Sequence, residues 1–382
     1  MEKNTEFDDI RPYYDEEVAP VIDRLVRDPL FKKVVGKVFP ERDWHELETL
    51  LRTFTTKKEF QHQLISKVVF QVVEATSCSI KCAGLEHIRK DEAYTYISNH
   101  RDIVLDASML SSMLIYKGYE SIEIAIGDNL LLYPWIEDVV KLNKSFIVKR
   151  GVSIRQMLEV STHLSQYIHY AINEKKESVW IAQREGRAKD SNDRTQESLL
   201  KMLAMDGKDN FLTSLKELNI VPVSFSYEYD PCDYLKAKEF QQKRDNPEFK
   251  KSQEDDLINM ETGLFGYKGN IHFQFGMPIH PLLEQLDAQL PKNELVTAVS
   301  ALIDKEIFLN YKFYPGNYIA YDRLWGQNRF ADTYTEKDCR LFDDYLNKQL
   351  DKIVLEDKDV PFLTEKILEM YANPVKNQLS VE

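Results

Sequence analysis

The chain has 382 residues, a formal net charge of −13 and 43% hydrophobic residues. This length allows two or three domains of about 150 residues each, and the composition is that of a folded globular protein rather than a collagen-like or disordered chain. The excess of acidic side chains argues against diffuse electrostatic binding of nucleic acid or of anionic lipid as the main mode of binding. An anionic ligand would therefore need a local basic pocket.

The four cysteines are too sparse for a disulfide framework, and Cys78 and Cys82 have no neighbouring His or Cys to complete a zinc site. We therefore expect reduced thiols and no metal. The acidic N-terminus lacks the features of a signal peptide, and no stretch reaches the roughly 18 consecutive apolar residues of a spanning helix. These features predict a cytoplasmic protein.

The elements follow one another in three blocks. Helical spacing of apolar residues, interrupted by prolines, predicts an N-terminal helical region over 1–88. Short β-rich runs then alternate with helical stretches, which predicts an α/β domain over 89–282 with a mixed, largely parallel sheet flanked by helices. Helical spacing returns after Pro278 and predicts a C-terminal helical cap over 283–382. The predicted strands lie at 93–98, 122–126, 145–148, 178–182, 220–227 and 271–275.

The first polar motif lies at 98–106, where a predicted strand ends and a helical pattern begins. Ligands bind at such strand ends in α/β sheets. An aspartate that takes the Nδ1 proton of a histidine leaves Nε2 free to deprotonate an alcohol, so His100 and Asp106 form a candidate catalytic pair, with Asp102 as a rival partner. Alternatively, these side chains serve only to cap a helix.

Two further predicted strands end in charged residues. Lys149 and Arg150 follow one of them, and Glu185, Gly186 and Arg187 follow another. Cations and backbone amides at such positions bind phosphate or carboxylate groups. Taken alone, each motif also fits a solvated surface turn with a weak ion pair.

A fourth feature is Pro222, which interrupts an apolar run and favours an edge strand or a bulge. In this order and spacing, the four pieces resemble the glycerolipid acyltransferase superfamily over about residues 90–280. The motifs of that family are Asn-His-x4-Asp, Gly-x-x-Phe-Ile-x-Arg, Glu-Gly-x-Arg and Val/Ile-Pro. This sequence departs from them in having five residues between His100 and Asp106, and Asn143 or Lys144 in place of the second motif's glycine.

The resemblance implies an acyltransferase of phospholipid synthesis. His100, held by Asp106, would deprotonate the hydroxyl of glycerol 3-phosphate or 1-acylglycerol 3-phosphate. The hydroxyl oxygen would attack the thioester of acyl-CoA or acyl-acyl carrier protein directly; these donors are cosubstrates, and no bound cofactor is implied. The residues assigned to substrate binding are Asn99, Lys149, Arg150, Glu185, Gly186, Arg187 and Pro222.

Three questions stay open at this point. The acceptor could instead be another lysolipid or an N-acyl amino acid with a free hydroxyl. The chain could also be a catalytically inactive module that binds lipid or acyl carrier protein. Finally, we expect a peripheral position on the inner face of the cytoplasmic membrane, and the aromatic loop (311–318) fits either contact with headgroups or packing of the C-terminal helices.

Overall fold

The computed structural model describes residues 5–206, 210–326 and 328–382. Helices lie before, between and after the strands of a single sheet. The helices are α1 (Asp15–Leu25), α2 (Pro29–Val38), α3 (Trp44–Arg52), α4 (Lys57–Phe60), α5 (Ser66–Thr76), α6 (Leu105–Tyr116), α7 (Pro134–Leu142), α8 (Ile154–Asn173), α9 (Glu197–Leu203), α10 (Phe211–Glu217), α11 (Asp233–Asp245), α12 (Gln253–Phe265), α13 (His280–Leu283), α14 (Lys292–Leu309), α15 (Pro315–Tyr321), α16 (Glu336–Asp351) and α17 (Val360–Leu379). The strands are β1 (Ser77–Ala83), β2 (Thr95–Ser98), β3 (Glu123–Gly127), β4 (Ser145–Val148), β5 (Val179–Ala182), β6 (Ile220–Tyr227) and β7 (Gly269–Phe275).

The seven strands form a sheet in the order β1-β7-β6-β2-β5-β3-β4. Strands β6, β2, β5, β3 and β4 are parallel to one another, β7 is antiparallel to β6, and β1 is parallel to β7. Parallel strands that follow one another in the chain need crossover connections, which α6 supplies between β2 and β3, α7 between β3 and β4, and α8 between β4 and β5. The predicted α/β class, with a mixed and largely parallel sheet flanked by helices, is confirmed.

An apolar core lies on each face of the sheet. Ile97 of β2 and Ile181 of β5 pack in one core, while Tyr96 and Trp180, the residues before them, pack in the other. Because both faces are covered, these short strands are apolar at nearly every position instead of alternating with polar residues. This is why continuous apolar runs located them in the sequence.

Two details of the sheet differ from the expectations. Strand β1 was missed because its small and polar residues lie at a half-exposed edge of the sheet. This strand belongs to the sheet although it lies within the predicted N-terminal region (1–88). The proposed domain boundaries stay predictions. The expected edge strand or bulge at Pro222 is wrong, since β6 is an interior strand. The carbonyl of Pro222 accepts from Gly276 N at 2.8 Å, and regular β6–β7 pairing begins one residue later, so the missing N–H falls where the ladder ends.

Helices at both ends of the chain pack in cores of their own. Helices α1 to α4 bury one apolar cluster together with α7, and α11 and α15 to α17 bury another. Within the three described ranges, no helix combines the length and the apolar character needed to cross a bilayer.

The aromatic loop packs inside the C-terminal helical part. Tyr311 is buried, and its ring centroid lies 5.8 Å from that of Phe308 and 6.2 Å from that of Phe313. The ring of Tyr318 lies 4.9 Å from Phe330. The structure therefore corrects the headgroup interpretation of this loop, because its aromatic rings face one another.

The buried carboxyl of Asp233 makes the stability of the C-terminal helices depend on pH. Burial and the nearby charge of Asp230 raise the pKa of Asp233 from 3.8 to about 7, although Tyr345 and Tyr371 donate hydrogen bonds to it. The folded state then binds more protons than the unfolded state between these values, so this contribution to stability is present below pH 4 and is lost as the pH rises through 7.

We expect Asp233→Asn to flatten the dependence of the free energy of unfolding on pH between 4 and 7, because it removes the contribution of this one group, which is about 4 kcal/mol at most. Urea unfolding across this range measures the slope. The control is Asp351→Asn, which removes an exposed carboxylate of α16; an unchanged slope in Asp233→Asn would contradict the assignment.

Candidate active site

The predicted polar motifs meet at one edge of the sheet. The five parallel strands end there, and ligands of α/β proteins bind at such an edge. His100 follows β2, Glu185 and Arg187 follow β5, and Arg150 follows β4. Residues that are far apart in the chain are thus brought to a common surface.

His100 and Asp106 form a hydrogen-bonded pair. Nδ1 of His100 lies 2.8 Å from Oδ2 of Asp106, and the aspartate is fully buried. The same carboxylate oxygen accepts from the backbone N–H groups of Arg101 at 2.6 Å and Asp102 at 3.0 Å. The extra residue between His100 and Asp106 is accommodated in this turn, which wraps its amides around the carboxylate.

Tyr227 completes the surroundings of Asp106. Its hydroxyl donates to Oδ1 of Asp106 at 2.8 Å from the carboxyl end of β6. Burial, together with the charges of Asp106 and Asp102, raises the pKa of Tyr227 well above its usual value, so the hydroxyl remains a donor. Both carboxylate oxygens of Asp106 are therefore fixed, and this holds the imidazole of His100 in one orientation.

Asp102, the rival partner, has a different task. Its Oδ1 accepts from the backbone N–H groups of Val104 at 2.9 Å and Leu105 at 2.8 Å, where α6 begins. Burial and the charge of Asp106 raise the pKa of Asp102. The carboxylate packs closely on α12, because a Cβ at Gly263 would lie 2.0 Å from Asp102 Oδ2. Asp102 thus stabilises the start of α6 rather than bonding His100.

Asn99 is fully buried and ties β2 to β6. Its side-chain oxygen accepts from the backbone N–H of Phe225 at 2.8 Å, and its side-chain nitrogen donates to the carbonyl of Phe225 at 2.9 Å. The side chain thereby continues the sheet after the last strand residue. Asn99 thereby positions the neighbouring His100, and its assignment to substrate binding stays a prediction.

The imidazole of His100 faces a mixed environment. Its side chain is 14% exposed, and its ring lies edge-on to Trp180, with 5.4 Å between the centroids. The Trp180 indole is itself fixed by a hydrogen bond from Nε1 to Ser98 Oγ at 2.9 Å. Among the described residues, none bonds Nε2 of His100. The ring therefore presents one nitrogen to a substrate while the other is held by Asp106.

The cations of the second motif have separate partners. Arg150 pairs with Glu185, with 2.5 Å between Nη1 and Oε1, and its backbone N–H donates to Asp128 at 3.1 Å. Lys149 instead pairs with Asp9 in the N-terminal segment. The structure thus brings Arg150 and Glu185 together and gives Lys149 a contact outside this pair.

Gly186 and Arg187 form the turn after this ion pair. Gly186 has φ +67°, a left-handed conformation that favours glycine, although its missing side chain leaves open space. Arg187 donates through Nη2 to Asn259 of α12 at 3.2 Å, and its Nη1 is buried without a partner in the described ranges. Nε of Arg150 is likewise buried without a partner among the described residues, so both arginines keep a free donor.

Other features of this edge were not found from the sequence. Pro222 is buried within β6, and its assignment to substrate binding stays a prediction. Both side-chain amide atoms of Gln183 and Nη1 of Arg101 are buried and have no partner among the described residues. Buried polar atoms are nearly always bonded, so these mark a place where water or a ligand completes the site.

A small pocket adjoins this network. It has a volume of about 40 Å³ and is bordered by Arg101, Tyr227 and Tyr311, among others. This volume suits a few water molecules or one small polar group rather than an acyl chain. Tyr227 ends a predicted strand, and that position was the available signal that it belongs to the site.

Comparison with known proteins shows which protein family the chain resembles. The family model described as Acyltransferase matches residues 79–226, the segment from β1 to β6 that carries the His100–Asp106 pair, Arg150 and Arg187. This segment is similar to the acyltransferase family. The resemblance to the glycerolipid acyltransferase superfamily is confirmed, and the chain carries an acyltransferase domain.

One solved structure similar to the chain is the 1-acyl-sn-glycerophosphate (LPA) acyltransferase, PlsC, from Thermotoga maritima. The identity is 13% and the TM-score 0.35, and the alignment covers 76% of this chain and 93% of the other. A search of curated proteins gives no match.

Proposed function

We infer that the acyltransferase domain moves a fatty acyl group from acyl-CoA or acyl-acyl carrier protein to a hydroxyl of glycerol 3-phosphate or 1-acylglycerol 3-phosphate. The observation that carries this proposal is the His100–Asp106 pair at the carboxyl edge of the sheet, with Nε2 of His100 left unbonded by the described residues. That arrangement fits a general base acting on an alcohol.

In the proposed reaction, Nε2 of His100 takes the proton of the acceptor hydroxyl. The oxygen attacks the thioester carbonyl, a new C–O bond forms, and the C–S bond breaks as the tetrahedral intermediate collapses. His100 returns the proton to the leaving thiolate. Asp106 holds Nδ1 and stabilises the transient imidazolium, in the manner of a carboxylate behind a catalytic histidine.

The raised thiol pKa values of two cysteines also agree with a direct transfer. Burial raises the pKa of Cys82 and of Cys232 to about 12. A thiol is nucleophilic as its thiolate, so these side chains are poor acyl carriers at neutral pH. We therefore propose no covalent acyl-enzyme.

We propose that Arg187 binds the acceptor phosphate, with Arg150 beside it. The unpartnered Nη1 of Arg187 supports this role, since a phosphate oxygen would supply the missing acceptor. Lys149, Glu185 and Gly186 would shape the surrounding turns. We also propose that the enzyme works at the inner face of the cytoplasmic membrane, where the acylated product is a membrane lipid.

Arg187→Gln tests the phosphate role. We expect the KM for 1-acylglycerol 3-phosphate to rise about 10- to 100-fold through loss of a charged hydrogen bond, with a much smaller change for monoacylglycerol, which lacks the phosphate. The matched control is Arg194→Gln, because Arg194 stacks on Phe308 and bonds Asn377 instead. Equal losses with both acceptors would contradict phosphate binding.

Thiol release tests the function itself. Purified protein is given palmitoyl-CoA or palmitoyl-acyl carrier protein, with glycerol 3-phosphate, 1-acylglycerol 3-phosphate or no acceptor. We expect release that depends on one of these acceptors, and that acceptor identifies the branch of the family. Folded protein that releases no thiol with either acceptor would contradict the proposal and would favour another acceptor or a binding role.

A further inference from the structure

The first two turns of α8 stand clear of the rest of the protein. Every side chain from 153 to 159 is exposed, whereas burial of the helix begins at Leu164. Ile154, Met157 and Leu158 are 88%, 53% and 67% exposed and lie on one helical face, because they are three and four residues apart. We name these three residues with Arg155 the α8 patch. Adjacent exposed apolar side chains of this size mark an interaction surface.

The α8 patch borders the candidate active site. Helix α8 follows Arg150, whose guanidinium pairs with Glu185 and whose backbone bonds the loop after β3. That loop continues into half-buried leucines and the exposed Tyr133 at the same edge of the sheet. The patch thus lies beside the edge of the sheet that also holds His100.

The one charged side chain of the α8 patch is the cation Arg155, although the chain as a whole carries −13. No acidic residue lies between Asp138 and Glu159. The cations of that stretch are Lys141, Lys144, Lys149, Arg150 and Arg155. Within the described ranges, the first four pair with the carboxylates of Glu137, Glu177, Asp9 and Glu185, in that order, while Arg155 is exposed and has no ion pair.

We propose that the α8 patch docks the enzyme on an anionic lipid bilayer. The apolar side chains enter the boundary between headgroups and acyl chains, and Arg155 contacts lipid phosphates, as basic amphipathic helices do at membrane interfaces. This inference rests on the proposed function, because it brings a lipid-soluble acyl acceptor to the edge that holds His100. A second copy of the chain fits less well, since two-fold pairing would place Arg155 near its own equivalent.

The test is flotation of the full-length protein with vesicles of phosphatidylglycerol or of phosphatidylcholine, without substrate. We expect binding to phosphatidylglycerol vesicles and a loss of about 10- to 100-fold in apparent affinity for Ile154→Ser/Met157→Ser/Leu158→Ser. The matched control is Leu341→Ser/Val354→Ser/Val360→Ser, which removes three exposed apolar side chains from the C-terminal part. Arg155→Gln should weaken binding to phosphatidylglycerol more than binding to phosphatidylcholine.

The outcomes separate this inference from the proposed function. Vesicle binding needs no catalysis, and turnover of octanoyl-CoA with glycerol 3-phosphate, both in solution, should stay near normal in the patch variant. Equal losses in patch and control variants, or no vesicle binding by the wild type, would overturn the inference. So would a wild-type dimer that dissociates in the patch variant, or loss of binding to acyl carrier protein with vesicle binding intact.

Discussion

We expect His100→Ala to lower the rate of acyl transfer by about 10²- to 10⁴-fold, the share that a positioned general base contributes. Nε2 of His100 is the site's candidate proton acceptor, and alanine offers none. Substrate binding should persist, because the cations of the edge are untouched. Initial rates of thiol release at saturating acceptor measure the effect.

The fold should survive this change. The His100 side chain is partly exposed, and Asp106 keeps its hydrogen bonds from two backbone amides and from Tyr227. No buried carboxylate is left unpaired, so the far-UV spectrum and unfolding midpoint should stay close to those of the wild type. A folded His100→Ala protein with near-normal turnover would contradict the assignment of the base.

The second large effect is expected for Asp106→Asn, which should lower the rate by about 10²- to 10⁴-fold. The amide keeps the size of the side chain: its oxygen can accept from the turn amides and its nitrogen can donate to the Tyr227 hydroxyl. The negative charge behind His100 is lost, however, and with it the stabilisation of the imidazolium.

Asp102→Asn is the matched control for this variant. Both aspartates are buried in the same turn, but Asp102 caps α6 through Val104 and Leu105, and an asparagine caps a helix as well as an aspartate does. We expect its rate to stay within a few-fold of the wild type. A larger loss in Asp102→Asn than in Asp106→Asn would show that the pairing with His100 is wrongly assigned.

The class of fold was predictable because its strands are buried on both faces. Runs such as 145–148 and 220–227 are mostly apolar, with serine as their only small polar residue, and their bounds agree with β4 and β6. Strand β1 was not predicted because a half-exposed edge strand does not need a run of apolar residues. The prediction of an edge strand or bulge at Pro222 was wrong for a related reason. A proline lacks the backbone N–H, and whether a hydrogen bond is lost depends on where the pairing with β7 ends, which the sequence of one strand does not show.

The site was predictable only in part. Strand ends and residue types indicated His100 and Arg187, because the residues of each short motif are close together in the sequence. The role of Asn99 depends on the backbone of Phe225, and the support of Asp106 depends on Tyr227, each more than 100 residues away in the chain. Such contacts follow from the order of strands in the sheet, and local spacing does not contain that information.

The most direct test of the account is to detect the product itself. Wild type and His100→Ala are incubated with palmitoyl-CoA carrying a labelled acyl chain and with 1-acylglycerol 3-phosphate, and the lipids are analysed by mass spectrometry. The account predicts labelled diacylglycerol phosphate from the wild type and almost none from His100→Ala. Labelled product at equal rates from both proteins, or free labelled palmitate from the wild type with no acylated acceptor, would contradict it.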